Sequence, residues 1–192
     1  MRERSGVGVK PAVTRRTALK VLGLGALAGG FSAVCGQANA AYPVPADSNQ
    51  VFFIQRSLNA NTIVYTARMH PDGTIDERDP IQVYWRRFNS DGRIKPLTLL
   101  ERTQAFGVRV RPLAGRPGEF AVNLVSYRKR HAILKVEDRM PVLEAELSGQ
   151  PARLISAFLD VSDAKPLPRI NRVTVYGRAK ANGGPVTETF GR

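Results

Sequence analysis

The chain has 192 residues and carries 29 Lys and Arg against 16 Asp and Glu, a formal net charge of +13. It contains a single cysteine and two histidines. That composition excludes a disulfide framework and a zinc site built from Cys and His, both of which need several such residues at close spacing. The length suits one globular domain.

The first forty residues have the three-part pattern of an export signal. Six basic residues lie in 2–20, the segment 21–35 is apolar and uncharged, and an Ala-Asn-Ala sequence follows at 38–40. A helix of fifteen residues covers about 22 Å, which is short of the roughly 30 Å hydrocarbon core of a bilayer. We therefore predict a signal peptide over 1–40, cleaved after Ala40, rather than a membrane anchor.

An arginine pair indicates the export route. The sequence "TRRTALK" at 14–20 resembles the bacterial twin-arginine signal Ser/Thr-Arg-Arg-x-Phe-Leu-Lys, with Arg15 and Arg16 as the pair and Ala18 as the one departure. The predicted partner during export is therefore the Tat translocase. The predicted location of the mature protein is periplasmic or secreted.

Removal of the signal changes the charge and the cysteine count of the mature chain. Residues 41–192 retain 23 basic and 15 acidic residues, a net charge of +8, and Cys35 leaves with the signal. This charge favours an anionic ligand or envelope component, although a soluble Arg-rich surface explains it equally well. Export from the cytoplasm argues against nucleic acid as a partner of this protein. No apolar run after residue 40 is long enough for a transmembrane helix.

The mature chain begins with a Pro-containing polar segment, 41–50, which we predict to be a flexible linker. A single β-rich domain is predicted over 51–192, because short apolar and β-branched runs alternate with turns such as "HPDGT" and "SGQP". Strands at that spacing predict a mainly β fold, an antiparallel sandwich or barrel of about 8–9 strands.

One short helix is predicted at about 98–106. Thr98 and Glu101 form a capping-box pattern, in which each side chain hydrogen-bonds the other residue's backbone N–H. Leu99 and Phe106 are seven residues apart and would anchor one helix face on the sheet. Gly107 occupies the position of a left-handed C-terminal cap.

Three phrases together resemble an uncharacterised family, the domain of unknown function four-eight-three-three. They are "RSLNANTIVYTARM" at 56–69, "DPIQVYWRRF" at 79–88 and "PLTLLERTQAFGV" at 96–108. They match the family's Asn-x-Asn before a Tyr, its Pro-Ile-x-Val-Tyr-Trp and its Leu-Thr-x-x-Glu-Arg followed by an aromatic-Gly pair. The resemblance implies a shared β-rich fold but supplies no catalytic residues.

The same phrases contain the most suggestive group of polar residues. In a strand, Trp85 would share a face with Ile81 and Val83 and belong to the core, which leaves Tyr84 on the other face. Arginines with Tyr and Asn groups can bind a carboxylate or phosphate. The alternative is a structural role, in which the arginines pair with acidic residues and Glu101 only caps the helix. The candidate binding residues are Arg56, Asn59, Asn61, Tyr84, Arg86, Glu101 and Arg102.

Three functional classes remain open at this point. The first is a non-enzymatic exported module that binds an anionic envelope component or a protein. The second is a cofactor-free enzyme for a small anionic substrate, and the third a lipocalin-like carrier of an apolar ligand. No catalytic residue, metal or cofactor is predicted, because the isolated His70 and His131 and the serines lack the required neighbours.

Overall fold

The computed structural model describes residues 42–162 and 169–191. The predicted signal peptide and its cleavage site therefore lie outside the described residues. Of the part of the chain that the structure describes, about 60% is strand and 5% helix, which confirms the prediction of a mainly β fold with one short helix. The described strands are β1 Gln50–Arg56, β2 Asn59–Ala67, β3 Ile81–Arg86, β4 Ile94–Pro96, β5 Val108–Leu113, β6 Arg116–Leu124, β7 Tyr127–Glu137, β8 Met140–Leu147, β9 Gln150–Ser162, β10 Arg169–Ala179 and β11 Pro185–Gly191.

All of these strands belong to one sheet, which curls into a half-barrel around its own apolar face. Strand β9 is the branch point. β10 pairs along one of its edges, while the other edge holds β8 at 150–153 and β1 at 156–159. The branch β1–β4 and the branch β8–β5 thus leave the same edge of β9. The β1–β9 pairing is parallel and makes the sheet mixed.

The core lies on the concave side of the sheet and is formed by alternate residues of most strands, as the period of two requires. Phe52 packs against Tyr65 with ring centroids 5.5 Å apart. Tyr65 is buried, which raises the pKa of its phenol, and its hydroxyl donates to the Phe106 carbonyl at 2.9 Å. The same cluster includes Ile54, Ile63, Ile81, Trp85, Phe120, Val122, Leu134, Leu143, Ala157 and Leu159.

The segment predicted as a linker contacts the sheet at several points in its described part, 42–49. The Tyr42 hydroxyl donates to the Ser57 carbonyl at 3.0 Å, and the buried Gln55 amide donates to the Pro43 carbonyl at 3.1 Å. Asp47 forms an ion pair with Arg86 of β3. These contacts lay the segment against the convex side of β1 and β3.

The helix differs in geometry from the one we expected. It is a π-helix, Glu101–Ala105, closed by the Phe106 N–H donating to the Glu101 carbonyl at 2.8 Å. The capping box is confirmed, because Glu101 accepts from the Thr98 N–H at 2.8 Å and Thr98 accepts from the Glu101 N–H at 3.3 Å. The anchor prediction is wrong for Leu99, which is 78% exposed. The wider i to i+5 turn moves residues seven apart off a common face.

Candidate functional site

The concave side of the sheet contains a cavity of about 400 Å³. Ten of the described strands, all except β4, contribute to it, and so does the end of the π-helix through Ala105 and Phe106. Its walls are almost wholly apolar, formed by Phe52, Ile54, Tyr65, Ile81, Val108, Val122, Leu124, Ala132, Leu143, Ala145, Leu147, Leu154, Ala157, Leu159, Val173, Val175 and Phe190. A void of this size is unusual in a protein interior, where few voids exceed one water molecule.

The polar and charged side chains of the cavity lie at its opening. Most of them belong to the turn between β6 and β7 and to the first half of β7, and the Val125 N–H links this turn to the π-helix end by donating to the Gly107 carbonyl at 2.9 Å. They are exposed to solvent, unlike the walls. We call these residues the polar rim: Gln104, Ser126, Tyr127, Arg130, His131 and Glu146.

Side chains of β7 and β11 meet across one side of the opening. Arg130 Nη1 donates to Glu188 Oε2 at 2.7 Å, and its guanidinium lies 5.2 Å from the Phe190 ring centroid. Tyr127 packs on the same ring at 5.8 Å. The Glu188 carboxylate raises the pKa of Arg130, and the Arg130 hydrogen bond lowers the pKa of Glu188. These four residues, which we call the clasp, hold β7 against β11 where no backbone pairing joins the two described strands.

Part of the predicted site assembles around Trp85, at the concave face of β3. The Arg56 guanidinium lies 4.5 Å from the Trp85 ring centroid, and Phe106 packs edge-on against that ring at 5.5 Å. The indole Nε1–H donates to Glu101 Oε1 at 3.1 Å. Burial lowers the pKa of Arg56, while the nearby Glu101 carboxylate opposes that shift. Arg56, Trp85 and Glu101 thus fasten the π-helix to the sheet.

The carboxylate of Glu101 is fully engaged by the protein itself. Its Oε2 accepts from both the N–H and the hydroxyl of Thr98, at 2.8 and 2.9 Å, and its Oε1 accepts from Trp85. Burial raises the pKa of this group, but the hydrogen bonds from Thr98 and Trp85 outweigh burial and the net shift is downward. A carboxylate held in its charged form by three donors suits a structural cap better than a general base.

The two asparagines organise the hairpin beside Arg56. Asn59 Oδ1 accepts from Arg56 Nη2 at 3.4 Å and from the Asn61 N–H at 3.1 Å. Asn61 Oδ1 in turn accepts from the Asn89 N–H at 3.0 Å. Their side-chain oxygens therefore stabilise the β1–β2 turn and the loop after β3.

The structure places the other predicted residues elsewhere. Tyr84 and Arg86 lie on the convex face of β3. The Tyr84 side chain forms a hydrogen bond with the side chain of Thr66, and Arg86 Nη1 donates to the Gly92 carbonyl at 3.1 Å. Burial raises the pKa of Tyr84. Arg102 is exposed on the π-helix. The seven candidate residues thus occupy two faces of the sheet and one helix surface rather than one pocket.

A cluster of alternating charges occupies the convex side of β7 and β8. Lys135 and Lys180 each contact both Glu137 and Glu144, with N–O distances of 2.6–3.0 Å. The hydrogen bond from Lys135, with a second from Lys180, lowers the pKa of Glu137 to about 2. Both carboxylates have ammonium partners, so the cluster joins the β10–β11 turn to β7 and β8 and leaves no group for acid–base chemistry.

No local pattern in the sequence marks the cavity. Its walls come from small and branched residues of strands far apart in the chain, and that pattern is also the one of any β core. The sequence "SYRKRH" at 126–131 is rich in basic residues, but nothing in it indicates that Arg130 shares a strand face with the apolar Ala132 and Leu134. Glu188 and Phe190 carried no sequence signal.

Within 42–162 and 169–191, no three His, Cys, Asp or Glu side chains come together as a metal site would require. The same residues include no helix long and apolar enough to cross a membrane.

Fold and cavity together define a mainly β half-barrel with an apolar interior that opens at a polar rim. The chain belongs to the DUF4833 family, described as a domain of unknown function, whose family model matches residues 52–189. This confirms the resemblance that the three sequence phrases carry. Comparisons with curated proteins and with solved structures found no significant match.

Proposed function

We propose that this protein is an exported, non-enzymatic binding module that holds the apolar part of a small ligand in its half-barrel cavity. The cavity carries the proposal. Its volume of about 400 Å³ falls in the range of roughly 300–1,000 Å³ typical of small-molecule sites. An unfilled apolar cavity forfeits dispersion contacts along its walls, and an apolar ligand would restore them.

Of the three functional classes, the lipocalin-like carrier is the one that the geometry supports best. A filled sandwich core would have excluded it, whereas the concave face here is incompletely filled. The enzyme alternative has less support, because Tyr84, Arg86 and Arg102 do not converge on Glu101 and the Glu101 oxygens are used by Thr98 and Trp85. We therefore place the binding function in the cavity.

Binding of a neutral apolar fluorescent probe tests the proposal. The domain can be prepared as residues 41–192, because every described strand, the core and the family match lie after residue 41. N-phenyl-1-naphthylamine should bind the wild-type domain. Ala145→Phe, which places a ring in the cavity from β8, should weaken binding by about tenfold or more, or at least about 1.4 kcal/mol.

The matched control is Ala181→Phe, the same substitution at an exposed turn residue between β10 and β11. It should leave probe affinity unchanged. Ala132→Phe fills the cavity from β7 and guards against misfolding of one variant, which circular dichroism would reveal. Folded Ala145→Phe and Ala132→Phe domains that bind the probe like wild type would refute the cavity as the binding site.

Export by the twin-arginine route is the second part of the proposal, and the sequence pattern at 14–40 supports it. Changing Arg15 and Arg16 to Lys should abolish the processed form in the periplasmic fraction, because the route requires the arginine pair. The control replaces Arg2 and Arg4 by Lys, which keeps the pair and the same charge. Undiminished export of the Arg15/Arg16 variant would contradict the route.

A further inference from the structure

The polar residues of the cavity are confined to its opening, and this asymmetry specifies the kind of ligand. The walls offer no hydrogen-bonding partner over most of their area, whereas the rim includes the amide of Gln104, the hydroxyls of Ser126 and Tyr127 and the guanidinium of Arg130. A ligand with a polar group in its middle would leave that group unsatisfied inside. A chain that enters with its apolar end and leaves a polar head at the rim avoids this cost.

Arg130 is the cation placed to meet such a head group. It shares the concave face of β7 with Ala132 and Leu134, and its side chain is 46% exposed at the opening. Its Nη1 donates to Glu188 and, at 3.5 Å, to the Glu146 carbonyl. Toward the described residues, Nη2 and Nε make no hydrogen bond. A guanidinium whose Nη2 and Nε make no hydrogen bond to the described residues can donate to both oxygens of an anionic head group.

Glu188 can lose its hydrogen bond with Arg130 at a limited cost in free energy. Glu188 Oε2 also accepts from the Ser148 N–H at 3.1 Å, so the carboxylate keeps one donor if Arg130 turns toward a ligand. Glu146 is the acidic member of the rim, but the adjoining sequence 128–130 is Arg-Lys-Arg. Residues 41–192 also carry 23 basic against 15 acidic residues, and this net positive charge favours an anionic ligand.

We propose that the ligand is a single-chain amphiphile with an anionic head group, and that Arg130 exchanges Glu188 for that head when the chain fills the cavity. This inference rests on the proposed function, because it assigns the ligand class of the same cavity. The shared chemistry is an anionic oxygen group, which a fatty acid and an alkyl phosphate both supply.

Displacement of the neutral probe from the 41–192 domain tests the head group. Four compounds with one chain length are compared below their micellar concentrations: dodecanoate, dodecyl phosphate, dodecanol and dodecylammonium. The two anions, or one of them, should displace the probe at about tenfold lower concentration than dodecanol, in line with a charge-assisted hydrogen bond. Comparing the two anions distinguishes a carboxylate ligand from a phosphate ligand.

Two variants assign the effect to Arg130. Arg130→Gln should remove the anion preference and leave dodecanol unchanged, while Arg109→Gln, an equal loss of charge at an exposed β5 position outside the cavity, should keep it. Glu188→Gln removes the competitor and should raise anion affinity several-fold. That gain of binding cannot result from misfolding.

The outcomes separate the inference from the proposed function. Equal displacement by all four compounds, or a preference for dodecylammonium, would overturn the anionic head group and leave the cavity function standing. An anion preference that survives Arg130→Gln would overturn the role of Arg130. Absence of binding by the probe itself would refute the proposed function.

Discussion

Replacing Trp85 by alanine is expected to lower the free energy of unfolding by about 3–5 kcal/mol, the range for removing a large buried aromatic side chain. Trp85 is 8% exposed and contacts three groups that would lose their partner. Phe106 would lose its edge-on contact, Arg56 the ring under its guanidinium, and Glu101 one of its donors. The loss therefore combines a cavity with a weakened attachment of the π-helix.

Urea unfolding followed by far-ultraviolet circular dichroism measures this effect, since Trp85 is the only tryptophan and its fluorescence disappears with it. Trp85→Phe should lose less, because a ring still packs on Phe106 although the indole N–H is gone. Leu99→Ala is the matched control, a large apolar residue of the same region that is 78% exposed, and should change stability by about 0.5 kcal/mol or less. Equal stabilities of Trp85→Ala and Leu99→Ala would show that the Trp85 cluster is not part of the core.

Local patterns made the fold class and the capping box predictable. Alternation of apolar residues in stretches such as "IQVYWR" distinguishes two strand faces, and the structure places Trp85 on the core face and Tyr84 on the other. The Thr98 to Glu101 spacing is set within one helical turn, so it can be identified without tertiary information. Such features depend on residues only a few positions apart.

Features that depend on distant residues could not be predicted in this way. The parallel β1–β9 pairing is flanked by Ser57, whose hydroxyl donates to the Val161 carbonyl at 3.0 Å across 104 positions of the chain. Asp47 lies in the predicted linker, and nothing near it in sequence indicates Arg86 as its partner. The π-turn adds one residue to the helical repeat, which the capping pattern does not encode.

The site combined both kinds of feature. Arg56, Asn59 and Glu101 were selected for their chemistry, and the structure brings Arg56 and Glu101 to the same tryptophan and Asn59 to Arg56. Their polar groups form contacts with one another and with Trp85. These residues are therefore close together, but they do not form a site open to a ligand. The cavity, in contrast, is lined by residues of strands from β1 to β11, so it depends on long-range contacts such as the clasp between β7 and β11.

The π-helix depends on one glycine, and Gly107→Ala is the second large effect that we expect. A Cβ at position 107 would overlap the Arg102 carbonyl oxygen and lie 2.8 Å from its carbonyl carbon. Both are backbone atoms, so no side-chain rotation relieves the overlap. Gly107 does not have the left-handed φ that we expected of it, and its small size is what the position requires. We expect a loss of about 1–3 kcal/mol, as for other overpacked sites.

The same substitution should also reduce ligand binding, because the segment that must shift carries Gln104, Ala105 and Phe106 of the cavity. Probe affinity and urea unfolding are measured on one preparation of each variant. Gly191→Ala is the control, since an added Cβ there meets no atom within 4 Å and its φ is not left-handed. If Gly107→Ala matched Gly191→Ala in both stability and probe affinity, the close approach of Gly107 to Arg102 would be refuted. A loss of stability with unchanged affinity would show instead that the π-helix end does not form a wall of the binding site.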